Sequence, residues 1–355
     1  MNEQADVIGT GDRIPNFSLK DQQGKNFEFY TKVSGGSIVL VFIDCDDQRN
    51  ASLLRGLNER LPDFEAQNAH VYVVCDDSVD AHAALSREFG LTFPLLADPG
   101  KQLIDWVVAA AQRSVPLVFV LDPNQRLISF KHGTDKADEG ELAAFADYAL
   151  AEVTKIAPRG KPRVFTEMAP ALIIPNVFSR DFCRRLIDLW ETGGHTEGAI
   201  NKGISEGSAA AVDYGVKRRK DHFIEDWKLD NEIANTLGPR VGHEVEKVYH
   251  YQDWTFEQFR VGCYEDTDAG FFNTHRDNAN EANQDRRYAV TLNLNAEDYE
   301  GGDLRFPEYG EDYYRPPTGG AVVFSCSLLH EVVPVTKGRR FVFLTFLRDY
   351  KTQQA

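Results

Sequence analysis

The sequence predicts two domains of different fold class, an α/β domain followed by an α+β domain. Three observations predict this. The chain has 355 residues, more than one hydrophobic core usually serves. Its first half alternates apolar strand-like runs with segments of helical spacing, the order of a sheet covered by helices. Its second half opens with helical segments and becomes, from Trp254 onward, a series of short strands punctuated by Gly, Asn, Asp and Pro, which suggests a sandwich or barrel.

In chain order, Ser37 to Asp44 (SIVLVFID) reads as a buried strand, Ala51 to Gln67 has helical apolar spacing, and His70 to Cys75 is a second strand. Val79 to Phe89 is helical. Pro116 to Asp122 is a strand that closes on the turn Pro123-Asn124, followed by the strand Arg126 to Lys131 and the helix Glu139 to Ile156. Residues 157–163, rich in Pro, Gly and charge without periodicity, read as a linker between domains at 1–156 and 164–355. In the second domain, Asn176 to Gly193 is a helix with Ser179 as N-cap and Gly193 or Gly194 as its stop. Leu229 to Tyr249 reads as a second long helix. The strands Thr255 to Val261, Tyr288 to Asn295, Gly302 to Phe306, Ala321 to Ser325 and Arg340 to Leu347 predict a jelly-roll core at about 254–349, supported by those helices. The mouth of such a barrel is a usual small-molecule site.

Composition narrows the function classes. A formal charge of -16 argues against nucleic acid as a partner, since phosphate binding needs a basic surface. The cluster Lys217-Arg218-Arg219-Lys220 reads as a solvated loop. No stretch of ~18 apolar residues occurs, and the opening MNEQADVIGT lacks the basic start and apolar run of an export signal, so no membrane partner and a cytoplasmic location are expected. The five cysteines show no CxxC pair and no zinc-like spacing, which predicts reduced thiols and no disulfide framework.

The segment Gly11 to Leu19 (GDRIPNFSL), the strand Val39 to Phe42 and Ser114-Val115-Pro116 resemble the peroxiredoxin and thioredoxin-like fold over about the first 150 residues. By that resemblance Pro116 is a structural cis-proline, and the domain could present substrate, since such folds bind extended chain. Gln48 and Ala51 occupy the positions of the family's redox cysteines. Cys45 lies between Asp44 and Asp46, which would raise a thiol pKa where peroxide reduction needs a stabilised thiolate. A degenerate domain kept for binding or packing is therefore expected; the rival, a thiol peroxidase, would depend on Cys45 or Cys75.

Chemistry concentrates in the second half. In an extended segment His275 and Asp277 point to one face while Arg276 points away. His330, after the apolar strand Ala321 to Ser325, can supply a third ligand from a distant strand. Two histidines and one carboxylate that leave other positions open form the arrangement of non-haem Fe(II) oxygenases. Arg340 follows His330 by ten positions at the start of the last strand, where its guanidinium fork suits the far carboxylate of a keto-acid co-substrate. Arg339 could compete for that role by alternation, the other expectation for it being an outward, solvated position.

These residues resemble the prolyl 4-hydroxylase family of 2-oxoglutarate oxygenases, including the hypoxia-sensing members, over about Phe256 to Asp349. The landmarks are Cys263-Tyr264, Gly270, His275 to Asn278, Leu294-Asn295, Gly301 to Pro307 and the run from His330 to Phe341. The resemblance implies a double-stranded β-helix in which His275, Asp277 and His330 ligate Fe(II), Arg340 anchors 2-oxoglutarate and Tyr264 lies near it. Asn293 stands where hypoxia-sensing members place a second tyrosine, or is an inward structural amide. Related halogenases lack the carboxylate ligand, so Asp277 favours hydroxylation. The implied reaction consumes O2 and 2-oxoglutarate, with ascorbate a further cofactor, and releases succinate and CO2. A prolyl residue of a protein or peptide is the first candidate substrate; a non-prolyl residue or small molecule is the alternative, and a non-catalytic scaffold the reading from another class. The loop Asn278 to Arg287 is a candidate lid, with Arg286 and Arg287 as substrate contacts.

Overall fold

The computed structural model describes residues 7–350 apart from 34, 46–48, 135–136, 158–159 and 198–212. The chain forms two compact units, Met1–Pro162 and Arg163–Ala355. Pro158 and Arg159 of the expected linker, and Gln48, lie outside the described residues.

The first unit is built on a sheet of order β2-β1-β5-β4-β3-β6-β7. Its strands are β1 (Ser18–Asp21), β2 (Asn26–Glu28), β3 (Ser37–Ile43), β4 (Ala69–Cys75), β5 (Leu95–Ala97), β6 (Leu117–Leu121) and β7 (Leu127–His132). Every residue of β3 is buried because both faces of the sheet are covered. Val39, Val41 and Ile43 pack with Leu53, Leu57, Phe145 and Ala149 from the helices Asn50–Glu59 and Glu139–Thr154. Ile38, Leu40 and Phe42 pack on the opposite face with Ile104 and Val107 of the helix Gln102–Ala111. This is the thioredoxin-like arrangement, with a cis Val115–Pro116 bond. The expected helix from Ala51 to Gln67 divides at Arg60, because Pro62 starts a new helix, Leu61–Ala66, in its first turn. The expectation of free thiols fails for one pair: Cys45 and Cys75 are joined in a disulfide, with Cα atoms 5.8 Å apart. Parallel pairing of β3 with β4 brings their C-terminal ends together, a proximity that spacing along the chain does not reveal.

The second unit is a jelly roll. Its strands are β8 (Ala171–Ile174), β9 (Thr196–Glu197), β10 (Lys220–Phe223), β11 (Trp254–Phe256), β12 (Arg260–Glu265), β13 (Phe272–His275) and β14 (Arg286–Asn293), then β15 (Glu300–Gly301), β16 (Leu304–Arg305), β17 (Tyr313–Tyr314), β18 (Ala321–Ser325), β19 (His330–Val332), β20 (Val335–Lys337) and β21 (Arg339–Asp349). The larger sheet runs β8-β18-β14-β21-β12-β10-β9 and the smaller β13-β19-β16-β17. Thus β8 and β10, which precede Trp254, extend the sheet beyond the expected core.

Along β21 the side chains alternate. Phe341, Phe343 and Leu347 join Leu186 and Trp190 of the helix Arg180–Gly193 and Ile233 and Leu237 of the helix Trp227–Leu237. Arg340, Leu344 and Phe346 line the interior instead. Trp227–Leu237 is not the long helix expected: at Gly238-Pro239 the chain takes a π-helical turn, Gly238–Gly242, before the helix His243–Tyr249. Pro239 has no N–H to continue the ladder, and a Cβ at Gly242 would lie 2.4 Å from the Trp254 ring.

Candidate active site

The antiparallel pairing of β13 with β19 sets His275 opposite His330. Asp277 follows β13 in a turn held by its N–H, which donates to the Cys326 carbonyl at 3.0 Å. Its two carboxylate oxygens lie 3.4 Å from His275 Nε2 and 3.3 Å from His330 Nε2. One ligand atom from each residue lies within 4.8 Å of the others. The other ring nitrogens are engaged with carbonyl acceptors: Nδ1 of His275 with Asn273 O at 2.7 Å, and Nδ1 of His330 with Leu328 O at 3.0 Å. A carbonyl only accepts, so Nδ1 carries a proton, and Nε2, facing Asp277, is the atom that can either hold a proton for that carboxylate or ligate a metal. Phe272 stacks on the His275 ring at 3.6 Å, and Phe324 packs edge-on against His330.

Burial raises the Asp277 carboxyl pKa, but the imidazoles of His330 and His275 outweigh it and hold the group well below the usual carboxylate range. Burial lowers the His330 imidazole against the opposing pull of Asp277, which favours the neutral, ligating form. This donor set, two imidazole nitrogens and one carboxylate on one face, fits Fe(II) with open positions.

The triad opens into a cavity of about 560 Å³, within the range of small-molecule sites. Arg340 is buried in its wall, 3% exposed. Its Nη2 lies 3.5 Å from Asn293 Oδ1, and its guanidinium stands 5.3 Å from the Tyr264 ring centroid. Its Nε and Nη1 are buried without a hydrogen-bond partner among the described residues, as is the Tyr299 hydroxyl. Buried donors left unpaired are costly, so this corner is built for an absent acceptor. Asn293 does not line the cavity; it donates to Pro316 O at 2.9 Å, as a structural amide does. Arg339 points outward and pairs with Glu191 at 2.7 Å.

The expected lid contacts are placed differently. Arg286 and Arg287 begin β14 rather than sit in a loop. Arg286 lines the cavity but is engaged by both carboxylate oxygens of Glu257. Arg287 is held by Asp349 and does not line it. The basic cluster also departs from a solvated loop: Lys217 and Arg219 are buried in the cavity wall, 5% and 6% exposed. Arg219 forms a two-pronged ion pair with Asp221 at 2.5 and 2.7 Å and donates to the Tyr264 hydroxyl at 3.3 Å. The alternation Lys217-Arg219-Asp221 was the available signal, since period two is that of a strand with one face inward. Arg260, Gly262 and Tyr264 repeat it on β12, and Arg260 also lines the cavity.

In the first unit, Cys45 Sγ lies 3.6 Å from His82 Nε2, and these two with Cys75 form a second close cluster. The bond between the cysteines leaves neither sulfur as a thiolate. Ala51 sits in the first turn of the helix Asn50–Glu59 and brings no thiol to it.

Residues 10–129 match the AhpC/TSA family, and residues 259–348 match the 2OG-Fe(II) oxygenase superfamily. A PKHD-type hydroxylase of Pseudomonas fluorescens is 27% identical over 178 residues, 48% of this chain and 74% of that protein. A PKHD-type hydroxylase of Synechococcus sp. is 35% identical over 96 residues, 25% of this chain. A chloroplastic peroxiredoxin Q of Gentiana triflora is 29% identical over 132 residues, 36% of this chain. The chain spans 42% of the length of the Synechococcus protein and 57% of the Gentiana protein. Among solved structures, a viral collagen prolyl hydroxylase from Paramecium Bursaria Chlorella virus-1 is 17% identical with a TM-score of 0.38, covering 50% of this chain and 95% of its own. A peroxidoxin from Mycobacterium tuberculosis is 20% identical with a TM-score of 0.37, covering 42% of this chain and 99% of its own. Among the described residues, no helix is long and apolar enough to cross a membrane.

Proposed function

For a chain that joins an AhpC/TSA domain to a 2OG-Fe(II) oxygenase domain, we propose that the second unit is an Fe(II)- and 2-oxoglutarate-dependent hydroxylase, with a prolyl residue of a protein or peptide as first candidate substrate. His275 Nε2, His330 Nε2 and a carboxylate oxygen of Asp277 would hold the metal. When bound, Fe(II) couples oxidative decarboxylation of 2-oxoglutarate, giving succinate and CO2, to insertion of the second oxygen atom of O2 into a C–H bond. Arg340 would grip the far carboxylate of 2-oxoglutarate with its unpaired Nε and Nη1. The chain's further contribution is geometry and a dry wall: Phe272, Phe324 and Val332 line the cavity around the triad.

One observation carries the reading: two imidazoles and a carboxylate converge in the same cavity as a buried arginine whose Nε and Nη1 lack an acceptor among the described residues. The test is conversion of 2-oxoglutarate to succinate by protein supplied with Fe(II), O2 and ascorbate. Turnover by the wild type, lost in His275→Ala and Asp277→Ala, supports the assignment; a wild type that makes no succinate removes it.

A further inference from the structure

Resting on that oxygenase reading, a count of the cations in the cavity wall identifies a feature of the primary substrate. Among the described residues six line it: Lys217, Arg219, Arg260, Arg276, Arg286 and Arg340. Four have carboxylate partners. Lys217 and Arg219 share Asp221, Arg286 is engaged by Glu257, and Arg276 by Glu308 at 2.6 Å. Arg340 and Arg260 have no carboxylate within ion-pair distance among the described residues, and a tail of 2-oxoglutarate would satisfy only Arg340.

Arg260 sits at the start of β12, opposite Phe223 on β10 and Leu344 on β21. Its guanidinium lies beside two aromatic rings, 5.7 Å from the Phe223 centroid and 5.5 Å from that of Phe346, and its Nε is buried without a hydrogen-bond partner among the described residues. Tyr264 pairs with Arg340 four positions along the same ladder, so the two guanidinium-bearing positions are separated by roughly 13 Å of strand. That spacing leaves room for two ligands. Asp221 and Glu257 are near enough to act on Arg260 through space, but both are engaged by other cations. Burial and the adjacent Arg219 also weaken the hold of Arg260 on its proton, the signature of a cation short of negative charge.

We propose that Arg260 is an anion grip for the primary substrate, which carries a carboxylate beside the C–H bond to be hydroxylated. A partly buried guanidinium beside two aromatic rings is suited to a charge-assisted, two-pronged hydrogen bond with a carboxylate. The carboxylate can belong to an acidic side chain of a peptide or to the main-chain terminus of a lone residue.

The test is a calorimetric titration of the full chain, loaded with Fe(II) and 2-oxoglutarate without O2. Two matched pairs of probes are used: acetyl-Pro-Glu-amide against acetyl-Pro-Gln-amide, and N-acetylproline against N-acetylprolinamide. In one pair the carboxylate binds ten- to a hundredfold more tightly than its amide, and the pair identifies the source. In Arg260→Gln the preference disappears, and in Arg260→Glu it reverses in favour of acetyl-Pro-Lys-amide, an inversion that a packing role does not produce. Equal binding within both pairs by the wild type, with 2-oxoglutarate still bound, overturns the grip and leaves the oxygenase reading standing. A preference that survives in Arg260→Gln overturns it too. Failure to bind 2-oxoglutarate at all removes the oxygenase reading and the grip together.

Discussion

Arg339 and Arg340 are neighbours in the chain and opposites in environment, one paired with Glu191 at the surface and the other buried beside Tyr264. A strand's alternation sends them to opposite faces, but the sequence alone left Arg339 as a rival for the co-substrate carboxylate, because which face turns inward depends on the partner strands. Arg340→Gln should weaken 2-oxoglutarate binding about ten- to a hundredfold, the loss of one charge-assisted contact, measured by calorimetry without O2; unchanged affinity would place the co-substrate elsewhere. Lys217 was not legible in the same way. Whether a basic residue is solvated or buried depends on which strand its segment joins, and here Lys217 bridges to Phe272 at the edge of the smaller sheet. Burial and the neighbouring Arg219 push the Lys217 amine down to about 7. A lysine with a lowered folded pKa binds fewer protons folded than unfolded from about pH 7 to its unfolded value near 10.4, so stability rises with pH across that window. Lys217→Met should flatten the rise in melting temperature between pH 7 and 10; an identical rise in the variant would show that the amine is solvated.

At the scale of elements, the HxD pair could be read from one strand, whereas the approach of His330 needed the pairing of β13 with β19, which no local pattern specifies. The short β15 and β20 show the same limit. Their pairing puts Gly301 against the Pro334 carbonyl, where an added Cβ would come within 2.4 Å at a φ of +70°. Only glycine fits that close approach and that backbone conformation. Gly301→Ala should therefore destabilise the second unit by about 1–3 kcal/mol, read from the midpoint of urea unfolding. A midpoint equal to that of the wild type would mean that the turn relaxes freely. The break at Gly238-Pro239 was visible in the sequence as residues, but the surrounding apolar spacing continued in phase and masked it.

For the whole molecule, the two cores separate cleanly in residue content. Val39, Val71 and Phe145 belong to clusters of the first unit, and Leu186, Ile233 and Phe343 to one of the second. The change from alternating strands and helices to a run of short strands from Trp254 onward was what the sequence revealed best, because it follows from hydrophobic period and turn residues. The Cys45–Cys75 bond and the cationic cavity wall depend on contacts between distant segments and were hidden. The account depends on His275, Asp277 and His330 forming one metal site. The most direct test is anaerobic titration of the whole chain with Fe(II), comparing the wild type with His330→Ala, which removes the ligand most distant in sequence. One Fe(II) bound per chain, and none tightly held in the variant, is the predicted result; iron bound equally by both would contradict it.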